Sequence, residues 1–151
     1  MPIAAMIFLS LLSASLQAAT CSLAATPVAF GNYNAMLALP SDSSGTLTVT
    51  CQSGLLELVS YSIALSPGNS GNAAARQLQA GAQQLAYNLY TDILRSNYWG
   101  SGAQALPSSL LITSLLTPFV ANHTVYGRIP AGQTGAATGS YSDVIQATIT
   151  F

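Results

Sequence analysis

The segment Gly45 to Cys51 reads Gly-Thr-Leu-Thr-Val-Thr-Cys, and its strict alternation most constrains the fold. A period of two places Leu47, Val49 and Cys51 on one face and the threonines on the other, as a half-buried strand requires. The pattern recurs at Tyr61, Ile63 and Leu65 and again at Leu85, Tyr87 and Leu89. Leu110–Leu116 and Val120–Ile129 supply further strands. Between them lie Ser66–Asn72, Gly100–Gly102 and Gly132–Gly139, rich in residues that tolerate turn conformations. No amphipathic helix, internal repeat or domain boundary is legible, and the pattern is all-β.

Charge narrows the function. Only 5% of the 151 residues are charged, there is no lysine, and half are hydrophobic. That apolar content excludes disorder driven by low hydropathy and high net charge. Arg76, Arg95 and Arg128 are too few to neutralise a run of phosphates or hold an anionic membrane, so no nucleic-acid partner is expected.

Ile3–Leu16 is apolar or small throughout, yet shorter than the roughly 20 residues of a membrane span. Followed by Gln17-Ala18-Ala19, it reads as a secretory leader over 1–18, cleaved after Ala18, although no Lys or Arg precedes it and Leu16 is bulky for its position. Cleavage leaves one domain over 19–151 and no membrane span. The cysteines of an exported chain, Cys21 and Cys51, predict one disulfide, the alternative being two buried free thiols. Closing that loop stabilises a fold by about 3 to 4 kcal/mol in the chain-entropy model. With His123 the only histidine, no metal-ligand spacing exists and no cofactor is implied.

Short strands at this spacing, with two cysteines thirty residues apart, predict an immunoglobulin-like β-sandwich. The last segment, Asp143–Phe151, puts Ile145, Ala147, Ile149 and Phe151 on one face with no strand after it. A sandwich ending this way leaves an edge unpaired and a strip of core uncovered, unless an earlier strand covers it.

Several blocks, taken in order, resemble one family. They are Cys21 with Phe30-Gly-Asn-Tyr33, Gly45–Cys51, Tyr61-Ser-Ile-Ala-Leu-Ser-Pro-Gly68, Arg76-Gln-Leu78, Leu85–Tyr90, Trp99-Gly100, Val125-Tyr-Gly-Arg-Ile-Pro-Ala-Gly-Gln133 and Gly139-Ser-Tyr-Ser-Asp143. Together they resemble the spore coat protein U domain family, which includes pilin subunits of archaic chaperone-usher fimbriae.

The resemblance implies an incomplete immunoglobulin-like β-sandwich lacking its final strand. It implies export through the periplasm to a fimbrium or the cell surface. Its partners would be a periplasmic chaperone that lends a strand, an outer-membrane usher, and other pilin subunits whose N-terminal extension replaces the loan. Backbone pairing and alternate side chains in pockets would hold the donor. Four or five such side chains amount to about 10 kcal/mol. Leu23, Val28, Ile145, Ala147, Ile149 and Phe151 are the expected groove.

With cleavage after Ala18, only Ala19 and Thr20 precede Cys21, against the 5 to 10 or so residues of a donor strand. The expectation is a tip-like or minor subunit that accepts a strand and gives none. The alternatives are a spore or cell-surface coat protein of the same fold and a surface adhesin.

An enzyme is not expected. His123 reads as an edge or loop residue, and nothing around the four carboxylates forms a catalytic motif. Asp143 is expected to pair with Arg128 or Arg76 or to cap the turn before the last strand. Tyr87, Tyr90, Tyr98 and Trp99 read as packing residues, with a tyrosine hydroxyl satisfied by backbone, rather than a sugar platform. Leu115–Val120 reads as strand, turn and strand with buried apolar side chains, against the alternative of an exposed attachment loop.

Overall fold

A computed structural model describes residues 18–151, so all but the last residue of the expected leader lies outside the described residues. Eight strands follow in chain order: β1 (Thr20–Thr26), β2 (Ser41–Gln52), β3 (Glu57–Leu65), β4 (Arg76–Ala80), β5 (Gln83–Tyr90), β6 (Leu106–Ile112), β7 (Phe119–Ile129) and β8 (Ala147–Thr150). The only helical elements described are two short 3₁₀ turns, Gly68–Ser70 and Gly102–Gln104. No described helix is long and apolar enough to cross a membrane.

The strands form two antiparallel sheets, β1-β2-β7-β5-β4 and β6-β3-β8. Alternation sorts their side chains. Leu47, Val49 and Cys51 of β2, Val125 and Ile129 of β7, and Leu85, Tyr87 and Leu89 of β5 meet Val59, Tyr61, Ile63 and Leu65 of β3 and Leu110 and Ile112 of β6. Trp99, fully buried, joins them from the β5–β6 connection and donates its indole N–H to the Ile63 carbonyl at 2.8 Å. The expected disulfide is present: Cys21 of β1 stands directly opposite Cys51 of β2 and is bonded to it.

Two strand expectations need correction, and one strand was not foreseen. Leu110–Leu116 was expected as one strand, but β6 ends at Ile112, where β3 opposite it begins at Glu57 and offers no further partner. The final strand is shorter than Asp143–Phe151. Asp143–Gln146 keeps the alternation of burial, but β3 gives way at Ser66-Pro67 to a turn, so the ladder covers Ala147–Thr150 alone. Finally, β4 carries no clear alternation in Arg-Gln-Leu-Gln-Ala and was not anticipated. The burial expected of Leu115–Val120 is corrected too: these residues are exposed, because they lie past the last paired residue of β6, where the opposite sheet offers nothing to cover them.

Arg76, which opens β4, is fully buried without a carboxylate at hydrogen-bonding distance. Its Nε and Nη2 donate to the Ser66 carbonyl, Nη1 to the Ala73 carbonyl and Asn88 Oδ1, and Nη2 to the Trp99 carbonyl, at 2.7 to 3.2 Å. The planar fork of five donors thereby ties the β3–β4 loop, β5 and the Trp99 segment together. Burial pushes its pKa below the ordinary value, with Tyr87 and then Asp143 opposing.

Candidate functional site: a cleft between two edge strands

β1 pairs only with β2, and β8 pairs only with β3, so among the described residues the outer edges of both strands are unpaired. Among the described residues no earlier strand covers the β8 edge. The two edges belong to different sheets and come within 8 Å of each other at Cα. Toward the end of the sandwich where β1 finishes and β8 begins, the gap widens into a cleft of about 400 Å³.

Both walls of that cleft have a sequence cause. After β1, Pro27 ends the strand, and Val28 and Phe30 turn in between the sheets. They fit because residue 127 is glycine: a Cβ there would lie 2.7 Å from Phe30 Cζ and 2.7 Å from Val28 Cγ1. Phe30 then meets the Tyr87 ring edge-on, with centroids 6.0 Å apart. The other wall is the stretch leading into β8. Ser142 exchanges two backbone hydrogen bonds with Gln79 of β4, and four residues later Gln146 pairs with Ser66. Asp143–Gln146 therefore crosses from one sheet to the other and carries Ile145 to the cleft.

Asp143 fixes this crossing. Its carboxylate accepts hydrogen bonds from the Tyr87 hydroxyl at 2.6 Å, the Asn69 N–H at 2.9 Å and the Val144 N–H at 2.8 Å. It rests on Gly68, whose φ of +69° and lack of Cβ make room for it. Of the roles expected for Asp143, the turn-capping one holds; neither arginine pairs with it, because Arg76 is engaged by carbonyls and Arg128 by Asp42. Burial, then the bond to Asp143, raises the Tyr87 pKa above the ordinary range, so the phenol remains a donor. That hydroxyl was expected to be satisfied by backbone.

Of the six expected groove residues, Val28, Ile145 and Ala147 line the cleft together, beside Phe30, Leu47, Leu65, Leu89 and Val125, which were not among the expected groove residues. Val28 lies beyond β1, not on it. Leu23 and Ile149 pack half-buried against the core further along the same gap. Phe151 follows the last paired residue and is 55% exposed.

The remaining polar motif residues hold the frame. Gln133 imitates a strand residue: its Oε1 accepts from the Ala86 N–H at 2.8 Å and its Nε2 donates to the Ala86 carbonyl at 2.9 Å. The Tyr33 hydroxyl donates to the Pro130 carbonyl and accepts from the Gln133 N–H. Arg128 makes a two-bond fork with Asp42 at 2.7 and 2.8 Å, and Arg95 joins from 3.3 Å. The Arg128 bonds hold the Asp42 pKa below the ordinary value.

The other carboxylates serve their own turns, Asp92 capping Ser96 and Asn97 and Glu57 bonding Ser53 and the Gly54 N–H. Among the described residues, no three His, Cys, Asp or Glu side chains gather as a metal site. His123 lies on β7 where that strand pairs with β2 alone, and its Nε2 meets the Tyr61 hydroxyl of the opposite sheet at 2.8 Å. Burial lowers its pKa. Tyr87 and Trp99 are buried, Tyr90 and Tyr98 half-buried, as packing residues.

The Spore Coat Protein U domain model matches residues 7–148, starting within the expected leader, and the chain belongs to that family. A solved structure with a similar fold is the CsuC–CsuE chaperone–tip adhesion subunit pre-assembly complex from the archaic chaperone-usher Csu pili of Acinetobacter baumannii. A chain in it is 23% identical, with a TM-score of 0.59 over 89% of this chain and 40% of that chain. This protein thus spans less than half of the length it matches. No curated protein matches the sequence.

Proposed function

We propose that this protein is a structural subunit of an archaic chaperone-usher fimbria. It accepts a strand first from a periplasmic chaperone and then, at the outer-membrane usher, from a neighbouring subunit. The observation that carries this is the pair of edges, β1 and β8, unpaired among the described residues and flanking one apolar cleft between the two sheets. Family membership and the fold shared with a chain of a chaperone–subunit complex support it.

In this reading an incoming strand lies along β8, with its alternate side chains over Ala147 and Ile149 toward Leu23 and Phe151 and its anchoring end in the cleft of Val28 and Ile145. Neighbouring strands in a sheet stand 4.7 to 4.9 Å apart, so a strand between β1 and β8 needs about 9.5 Å. Edges that approach within 8 Å must part to admit it. Entry therefore begins at the wide cleft and proceeds toward Phe151.

Cleavage after Ala18 leaves too few residues ahead of Cys21 to reach another subunit, which makes this a strand-accepting, tip-like or minor component. Mass spectrometry of the exported N-terminus tests that role: ten or more residues ahead of Cys21 overturn it. The acceptor role is tested by adding a synthetic alternating apolar peptide to the exported chain. The expected result is a concentration-dependent rise in melting temperature. A chain that is monomeric, fully stable and indifferent to the peptide is instead a finished coat domain.

A further inference from the structure

At the end of the sandwich where β7 finishes, the β1–β2 and β7–β8 connections stand apart and enclose a second chamber, of about 1140 Å³. Its floor is core: Leu78, Leu85 and Ile129, with Val28 and Phe30 where it adjoins the apolar cleft. Its walls are loops, within 31–36 on one side and 134–142 on the other. Tyr33 braces them from the first wall, its hydroxyl reaching the Pro130 carbonyl at 2.8 Å and the Gln133 N–H at 3.2 Å. The second wall is seated on the end of β4, where a Cβ on Gly139 would lie 3.2 Å from the Ala80 Cβ.

Unlike the cleft, this chamber presents uncharged polar side chains that the fold does not itself use. Asn32, Thr134, Thr138 and Ser140 are exposed, and their side chains have no hydrogen-bond partner among the described residues. Asn34 commits only its Oδ1, which accepts from the Met36 N–H at 3.0 Å. Each amide and each hydroxyl can both donate and accept. Two rings stand among them. The Tyr33 hydroxyl is engaged across the walls, and the Tyr141 hydroxyl donates to the Ala137 carbonyl at 2.8 Å, so both rings are held in place and contribute apolar surface. The one charged residue of the lining, Asp143, is occupied by Tyr87, Asn69 and Val144.

This combination selects a class of ligand. No cation lines the chamber, so phosphate, sulfate and carboxylate groups find no counter-charge. An added peptide strand needs a straight edge of open backbone groups, whereas both walls here are loops. A pure hydrocarbon would leave the amides and hydroxyls without partners. We infer that the chamber is a binding site for a neutral oligosaccharide, whose hydroxyls pair with Asn32, Asn34, Thr138 and Ser140 and whose C–H faces rest on Tyr33 and Tyr141. Its volume exceeds the roughly 300 to 1,000 Å³ of pockets for drug-sized ligands, which suits a short chain of sugar rings better than one ring. Strand acceptance is not required for this role, and the chamber stays open when the groove between β1 and β8 is filled.

Saturation-transfer NMR on the exported chain tests the site with maltotriose, cellotriose and triacetylchitotriose, and with sulfated maltotriose as the charged control. Each measurement is repeated with the groove filled by the alternating apolar peptide. At least one neutral trisaccharide should bind, without dependence on salt and equally well with the peptide in place. Asn32→Ala/Thr138→Ala/Ser140→Ala removes three polar partners and should weaken binding about tenfold or more at an unchanged melting temperature. Thr113→Ala/Thr117→Ala, at the far end of the sandwich, should leave it unchanged. Absence of binding by all three neutral sugars overturns the inference, as does equal binding by the chamber variant or preference for the sulfated sugar. Displacement of the sugar by the peptide also overturns it, assigning the chamber to the donor strand. Should the peptide itself fail to bind, the groove reading falls, and the sugar measurements on the chain alone decide this site.

Discussion

The two outer strands of the five-stranded sheet, β4 and β1, are treated in opposite ways. Beside β4, Ser142 supplies a backbone bridge at Gln79, Gln133 satisfies the neighbouring β5 at Ala86, and the buried guanidinium of Arg76 anchors the strand at its start. Beside β1 there is no described partner, and across the gap β8 is equally bare. An unpaired edge invites association, and proteins ordinarily blunt it with charge, proline or a covering segment. This chain has such devices and uses them on one side. The open side is thus a selective feature of the fold.

Experiments that attack the closed side should have the largest effects. Arg76→Met leaves three carbonyls and Asn88 without their donor, and unsatisfied buried polar groups cost about 1 to 3 kcal/mol each. A loss of about 4 kcal/mol or more in urea unfolding is expected; a loss below about 1 kcal/mol would show the closed edge to be held by other means. Next comes the disulfide, which lies on the open side but ties β1 inward to β2. Reducing it, or replacing both cysteines with serine, should cost about 3 kcal/mol by the same assay.

Filling the open side should work in the other direction. A donor peptide at a hundred times its Kd adds about 2.7 kcal/mol, and Ile149→Asp should abolish that gain. Persistence of the gain in the aspartate variant would move the acceptor away from β8.

Smaller effects sharpen the comparison. Tyr87→Phe removes one charge-assisted bond to Asp143 and should cost about 1.5 to 3 kcal/mol, loosening the cleft wall without opening β4. Smallest is the Asp42 fork on the sheet surface, whose exposed ion pairs are worth about 1 kcal/mol or less. Because the folded-state pKa of Asp42 lies below 3.8, its contribution is fully present above that pH and disappears as pH falls through the folded value. Asp42→Asn should lower stability at neutral pH by about 1 kcal/mol or less and make the loss of stability below pH 3.8 slightly shallower.

By itself the sequence determined the alternation of β2, β3, β5 and β7, the cysteine pair and the apolar face of the last segment. Each is a local pattern, or a pair of residue types, that only one kind of structure satisfies. That Ile145, Ala147 and Ile149 share one face was legible because a period of two fixes the face a side chain shares, and the first two line the cleft. That Leu47 and Leu65 line the cleft was not legible, since facing the core and facing a gap in its cover look alike in a strand. Only the tertiary structure decided that Arg76 is buried, because its partners are carbonyls, which every residue owns and no sequence advertises. It alone also placed Asp143–Gln146 across the two sheets and Leu115 and Leu116 in the open. Whether an apolar residue is covered depends on what lies above it, and that is set by where distant strands end.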